Sequence, residues 1–210
     1  MESSVRQKKE WALYDTPPNE DICSLVELNK KVLDIGCATG RIAEKLKKEK
    51  NCSVVGMEIN EEMAKIAKKR CDQVVMTDAE LLKHLDFPKG YFDILLFADV
   101  LEHCRNPGEI LENLKKYLSD QGYILVSVPN VANWKIRLKL LLGKFDYRGG
   151  TILDEGHLRF FTLKSIEELI EKTGFEVLKV KTRNVLLQSL GRLWPALFAW
   201  GFVIKARKRK

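Results

Sequence analysis

Val32-Leu33-Asp34-Ile35-Gly36-Cys37-Ala38-Thr39-Gly40 is the stretch on which the fold turns. Lys31 to Ile35 has the character of a buried strand, and it runs into a turn with glycine at Gly36 and Gly40. A helical pattern, about Thr39 to Lys50, follows at once with Ile42, Ala43 and Leu46 on its apolar face. Glycine lets the backbone take positive φ and approach a ligand closely. In open α/β sheets ligands bind at the carboxyl ends of the strands, where this turn is placed. The spacing is G-x-x-x-G. Gly36 and Ala38 fill the first two positions of the dinucleotide pattern G-x-G-x-x-G, but Arg41 stands where the third needs a small residue. Asp34 beside the turn would repel a pyrophosphate, whereas it suits a ligand carrying an amino group and a sulfonium charge.

Outward from the turn, short aliphatic runs alternate with helical patterns, which predicts βαβ units and a mostly parallel sheet. Strands are expected at Ser53–Met57, Asp72–Met76, Tyr91–Phe97, Tyr123–Val128 and Phe175–Lys181, with a last one at Phe202–Ala206. Asn60 is a good N-cap for a helix that ends in Lys68, Lys69 and Arg70. Asn106-Pro107 starts another, with Ile110, Leu111, Leu114, Tyr117 and Leu118 on its buried face. The alternation breaks at residues 130–156, an insertion holding an amphipathic segment, Trp134–Leu142, and a loop around Gly149-Gly150. Thr162 then caps a helix that buries Ile166, Leu169 and Ile170 and stops at Gly174. Residues near Leu186–Ala199 read as a helix or an irregular link. No repeat or second domain is visible, so residues 1–210 are expected to form one domain.

Composition narrows the function classes. Apolar residues at 45% and charged residues at 31% describe a globular protein. Met1–Glu20 lacks the apolar run of a secretory signal. The longest uncharged apolar stretch, Leu193–Ile204, is shorter than the roughly 18 residues of a membrane span. A cytoplasmic protein is expected. The five cysteines form no C-x-x-C pair, and His84, His103 and His157 are scattered, so neither a disulfide framework nor a metal site is expected. The net charge of +7 concentrates in Lys205–Lys210 and in Lys135, Arg137, Lys139, Lys144 and Arg148. These runs read as solvated surface, with an anionic substrate, lipid headgroup or nucleic acid as the sharper alternative.

Two more carboxylates fall at strand ends. Glu58 closes the second strand, where an acid can accept from both hydroxyls of a ribose. Asp78-Ala79 follows the third, where a carboxylate and a backbone amide can read an adenine edge; helix capping by Asp78 is the alternative. Together V-L-D-I-G-C-A-T-G, G-M-E-I-N, T-D-A-E and F-A-D-V-L-E-H resemble, in order and spacing, successive motifs of class I S-adenosylmethionine-dependent methyltransferases across residues 30–130. The later block L-D-E-G-H-L-R-F-F-T-L is similar to a subgroup acting on glycan, cell-envelope or quinone-type molecules.

That resemblance implies a doubly wound, Rossmann-like α/β fold with helices on both faces of a seven-stranded sheet. The implied order is 3-2-1-4-5-7-6, with the seventh strand antiparallel. It implies S-adenosylmethionine as cofactor and S-adenosylhomocysteine as product. Asp34, Gly36, Cys37, Ala38 and Gly40 would line the methionine part, with Asp34 near its amino group. Glu58 would hold the ribose and Ile59 pack on the adenine, while Asp78 and Ala79 contact its edge. Asp99 and Val100 would sit beside the methionine part of the cofactor and at the mouth of the acceptor pocket. Cys37 departs from the usual pattern as a slightly larger residue, tolerated as a small hydrophobe.

The acceptor side is expected to take a small molecule, glycan or quinone/lipid-type molecule, methylated at oxygen. His157 is the candidate general base, because it lies in a loop, and His103 the second candidate; each has a structural reading beside it. Arg159 is read as a partner for an anionic substrate group or as a surface ion pair. Residues 134–147 are expected to form a lid, or else to pack on the core or rest on an anionic membrane surface. Tyr14 is expected to close over the cofactor. An RNA-directed methyltransferase or a nucleic-acid-binding relative is the alternative; stable nucleic-acid binding is not expected, because no RNA-binding module or N-P-P-Y-like motif is present.

Overall fold

The computed structural model describes residues 17–183 and 194–209. Tyr14 and residues 186–193 of the expected link lie outside these. The described strands form one seven-stranded sheet in the order β3-β2-β1-β4-β5-β7-β6. They are β1 (Lys31–Ile35), β2 (Ser53–Glu58), β3 (Gln73–Met76), β4 (Phe92–Ala98), β5 (Leu118–Pro129), β6 (Phe175–Arg183) and β7 (Gly201–Lys208). The first five pair in parallel, and β7 runs antiparallel between β5 and β6. The expected order and strand direction are both present.

The pleat explains why the central strands read as continuous apolar runs. Leu33, Ile35, Val55, Met57, Leu95 and Phe97 point to one face, where the helices Pro107–Lys115 and Leu163–Lys172 add Ile110, Leu111, Ile166 and Ile170. Val32, Val54, Ile94 and Leu96 point to the other, covered by Glu20–Cys23 and Arg41–Lys50 through Ile22, Ala43 and Leu46. A strand buried on both faces has no polar side to alternate. Each such side chain contributes roughly 1.5–3 kcal/mol on burial.

Several boundaries differ from expectation. The helix begun by Pro107 stops at Lys115, and β5 starts at Leu118. Tyr117 and Leu118 are buried, but Leu118 is paired with Phe92 of β4 rather than lying on a helix. Asn106 makes no side-chain capping bond there. The helix capped by Asn60 spans only Glu61–Ala67, so Lys68–Arg70 fall in the turn beyond it. Thr162 does cap Leu163–Lys172, in a capping box with Ser165, and Gly174 follows at φ +82°. Within the link, Pro195–Phe198 is a short helix.

The basic C-terminal run is not a free tail. Most of it is β7, where Lys205 pairs with Glu27 at 2.8 Å and stacks over the Tyr123 ring at 3.6 Å. Arg207 binds Glu176 at 2.9 Å. By contrast, the insertion helix Trp134–Leu141 leaves Leu138, Leu140 and Leu141 exposed. No helix among the described residues is long and apolar enough to cross a membrane.

Candidate functional site

Because β3, β2, β1 and β4 are parallel neighbours, their carboxyl ends form one continuous edge. That edge brings together Glu58, the turn after Asp34, Asp99, and the Asp78-Ala79 step. The turn is wound through left-handed conformations at Gly36 (φ +68°), Ala38 (φ +47°) and Gly40 (φ +78°). At Gly36 a side chain is excluded for a second reason, since an added Cβ would lie 2.7 Å from Val100 Cγ2. The loop after β1 and the loop after β4 thus touch across the crevice.

Glu58 clamps the turn. Its Oε2 accepts from Ala38 N–H and its Oε1 from Asn60 N–H, both at 2.8 Å. Each carboxylate oxygen has two lone pairs, so one on each remains to accept from a ligand hydroxyl. Ile59, 65% exposed, offers an apolar surface beside it. Asp78 caps no helix: its Oδ1 accepts from Glu80 N–H at 2.8 Å and closes a turn, while Ala79 packs on the core edge. Cys37 is buried against Cys71, and Gly56 leaves room for both sulfurs.

Asp34 is the anomaly. It is 1% exposed, and neither oxygen has a hydrogen-bond partner among the described residues. Burial, with lesser pushes from Cys71 and Glu58, drives its carboxyl well above the usual range. A buried carboxyl without a donor costs free energy that a cationic amino group could return. The residues at this edge therefore fit a nucleoside with a positively charged amino-acid tail.

The two candidate histidines, 54 residues apart in sequence, are neighbours in space: their rings lie 4.8 Å apart, edge to face. The short 3₁₀ turn Leu101–His103 follows β4, and the loop 156–159 is stapled onto it. Glu102 C=O accepts from Leu158 N–H at 2.8 Å and from Arg159 N–H at 2.9 Å. His103 Nδ1 faces Gly156 C=O at 2.9 Å and His157 Nδ1 faces Ile152 C=O at 3.0 Å. Burial is the main reason the His157 imidazole sits below its ordinary value. Arg159 reaches back to the turn after His103. It donates to Arg105 C=O through Nε and Nη2, at 3.1 and 2.6 Å, and holds the loop.

Three participants carried no signal of their own in the sequence. Glu102 lies 1% exposed beside His103, its carboxyl raised by burial and by Asp99, with Arg183 opposing. Arg183, at the end of β6, pairs with Asp99 at 2.6 Å. Ser127 Oγ accepts from Asp99 N–H at 3.0 Å, fixing that residue at φ +54°. Further along the same edge, Asn130 Nδ2 donates to Ala196 C=O and Ala199 C=O, both at 2.9 Å. This anchors the segment whose Trp194–Leu197 borders a surface groove of about 400 Å³ with Arg137.

Comparison with known proteins agrees with this geometry. The profile of a family described as a methyltransferase domain matches residues 19–180. An uncharacterized protein of Methanocaldococcus jannaschii is 35% identical over 170 residues, 73% of this chain and 64% of that protein. A ubiquinone biosynthesis O-methyltransferase of Psychrobacter arcticus is 27% identical, over 70% of this chain and 59% of its own length. The chain thus spans less than two thirds of these relatives. In fold it is similar to a SAM-dependent methyltransferase of Thermotoga maritima described as a possible histamine N-methyltransferase. That match has a TM-score of 0.70 and 22% identity, covering 98% of this chain and 96% of the other. A SAM-dependent methyltransferase of Archaeoglobus fulgidus matches with a TM-score of 0.66 and 22% identity, over 86% of each chain.

Proposed function

Because the chain belongs to the methyltransferase-domain family, we propose that it binds S-adenosylmethionine at the β1 turn and methylates a small-molecule, glycan or quinone/lipid-type acceptor at oxygen. The observation that carries the cofactor is Asp34, a buried carboxyl whose oxygens have no protein donor among the described residues. Ubiquinone O-methyltransferases among the relatives favour oxygen as the methylated atom. The basic run that motivated a nucleic-acid reading is largely drawn into β7 and its ion pairs, which favours a small acceptor over RNA.

The cofactor, when bound, supplies an electrophilic methyl group on a sulfonium. Asp34 receives the cofactor's ammonium, and Gly36 and Gly40 leave its backbone space. Glu58 accepts from the ribose hydroxyls, Ile59 covers the adenine, and Asp78 with Ala79 reads its edge. Asp99 and Val100 border the methionine part and the acceptor. Displacement at a methyl group needs little covalent help, so the protein's main contribution is to hold the acceptor oxygen about 3–3.5 Å away and in line. His157 presents Nε2 to the acceptor and would take the proton from its hydroxyl, with His103 beside it as the second candidate base. The insertion 134–147 closes over the acceptor, or meets a membrane surface where the acceptor is a lipid. We place this work in the cytoplasm.

Calorimetry with S-adenosylmethionine, S-adenosylhomocysteine and NAD tests the cofactor, with tight binding of the first two and none of NAD expected. Binding of NAD alone would overturn the reading. His157→Ala should leave cofactor affinity nearly intact and lower turnover; unchanged turnover removes His157 from the chemistry.

A further inference from the structure

Glu102, His103 and His157 each offer one potential ligand atom, and these atoms all lie within 4.8 Å of one another. Sequence spacing hides the group, because its members come from the turn after β4 and from a loop beyond the insertion. Three separate observations give it chemical direction.

The first is the orientation of the rings. Both imidazoles place Nδ1 against a backbone carbonyl, at Gly156 and at Ile152. A carbonyl only accepts, so each Nδ1 carries the proton and each neutral ring keeps its Nε2 lone pair. This is how metal-binding histidines are usually held, with one nitrogen donating to a carbonyl and the other presented to the ion. The second is Glu102, almost wholly buried, whose Oε2 has no partner among the described residues. A buried, unpartnered carboxylate oxygen beside two imidazoles is a costly arrangement that a cation would relieve. The third is Asp154. Its carboxylate is fixed by Gly150 N–H at 2.6 Å and Gly156 N–H at 2.8 Å, and it places a negative charge near His157.

We propose that Glu102, His103 and His157 form a binding site for a divalent first-row transition ion. Two nitrogens and one carboxylate favour zinc, cobalt or iron over magnesium, which prefers oxygen ligands. Bonds of about 2.0–2.2 Å in a tetrahedral shell set donors roughly 3.4 Å apart, so atoms now within 4.8 Å of one another close by at most about 1.4 Å on binding. His103 is the exposed member, so its ring can tilt toward the other two while Nδ1 keeps its bond to Gly156 C=O. Three protein ligands leave a position open. If the methyl-transfer reading holds, that position takes the acceptor's oxygen; a hydroxyl bound to the ion is acidified and loses its proton to water. With the ion bound, His157 Nε2 is a ligand and no longer a base; the ion acidifies the hydroxyl and water takes the proton.

The test uses the full chain, freed of metal by chelation and titrated with Zn²⁺ against a chromophoric competitor, with Mg²⁺ as comparison. One Zn²⁺ per chain is expected, with much weaker Mg²⁺ binding. Glu102→Gln and His157→Ala should each weaken Zn²⁺ at least about tenfold, and His84→Ala should not. Unweakened Zn²⁺ binding in both ligand variants overturns the site. Should a variant misfold, Co²⁺ spectra of the unaltered chain decide. Weak d–d bands of a nitrogen–oxygen shell support the proposal, whereas an intense sulfur-to-cobalt band puts the ion on the cysteines and overturns it. S-adenosylmethionine titration of the metal-free chain runs alongside. Cofactor binding without Zn²⁺ binding sinks only the ion site, and Zn²⁺ binding without cofactor binding sinks only the methyl-transfer reading.

Discussion

The two ends of the crevice are built differently. On the β3-β2-β1-β4 side the candidate cofactor residues are local: Asp34 through Gly40 are consecutive, and Glu58 accepts from the backbone of their turn at Ala38. On the other side, Glu102, His103 and His157 meet only because a loop is stapled to a 3₁₀ turn, and Arg183 reaches Asp99 from the far strand β6. The first half winds three residues of one turn into left-handed backbone and leaves both oxygens of Asp34 without a partner among the described residues. The second relies on hydrogen-bonded loops and exposes a basic, leucine-rich insertion. A site made this way keeps one ligand constant through rigid local geometry and leaves the other adjustable through loops.

Gly36→Ala should break the rigid half hardest. A left-handed residue with a Cβ costs about 1–2 kcal/mol, and the 2.7 Å approach to Val100 Cγ2 adds overpacking of about 1–3 kcal/mol. Thermal unfolding and calorimetry should show lower stability and cofactor affinity reduced by on the order of 100-fold. A variant with unchanged affinity would show that the turn's backbone is not what the cofactor requires.

Asp34→Asn separates binding from stability. Affinity for S-adenosylmethionine should fall roughly 10- to 100-fold, while the ligand-free protein gains about 1–3 kcal/mol. The pH dependence has a definite sign. The folded carboxyl lies well above its ordinary value of about 3.9, so above that pH the unfolded chain binds fewer protons than the folded one. This group's contribution to stability therefore falls as pH rises from about 4 to the folded pKa, then levels off. Affinity for the cationic cofactor rises over the same window, with a proton released. The asparagine variant should lose both slopes; a slope that survives would assign the titration to another group.

Deleting residues 134–147 probes the adjustable half. Leu141 is 82% exposed and Leu138 and Leu142 are also open to solvent, so the buried loss is confined to Ile136, which packs with Ile152 and Leu153 on the acceptor side. Acceptor turnover should fall at least tenfold, while cofactor affinity changes less than about threefold. Equal losses of both would show that the insertion supports the sheet rather than the acceptor.

The same division explains what could be read from the chain. The turn was legible because its information is contiguous: a buried run, two glycines and an acid within nine residues. Sheet order and the antiparallel β7 were legible through the resemblance those motifs carry. Ala38 was not flagged as a left-handed residue, since alanine gives no sign of positive φ. Leu118 was misplaced onto a helix because Leu114, Tyr117 and Leu118 satisfy helical spacing whether or not the helix continues. Glu102 and Arg183 were missed for a different reason. An acid at the end of D-V-L-E-H and an arginine in β6 acquire meaning only from burial and from partners distant in the chain.

The smallest effect lies just beyond the histidine loop. Thr162 Oγ1 accepts from Ser165 N–H at 3.2 Å, and Ser165 Oγ accepts from Thr162 N–H at 2.9 Å, closing the first turn of Leu163–Lys172. Thr162→Ala removes one half of that box and should cost about 1 kcal/mol. The adjacent Phe161 bridges Asn130 at the end of β5, so fraying there reaches the loop that carries His157. Cofactor affinity should not change, because Asp34 and Glu58 lie on the other half of the sheet. A small, selective rise in the acceptor's KM would mean that the loops are positioned by the helix cap. A cofactor effect of equal size would mean that the two halves are one cooperative unit, and the division drawn between them would fail.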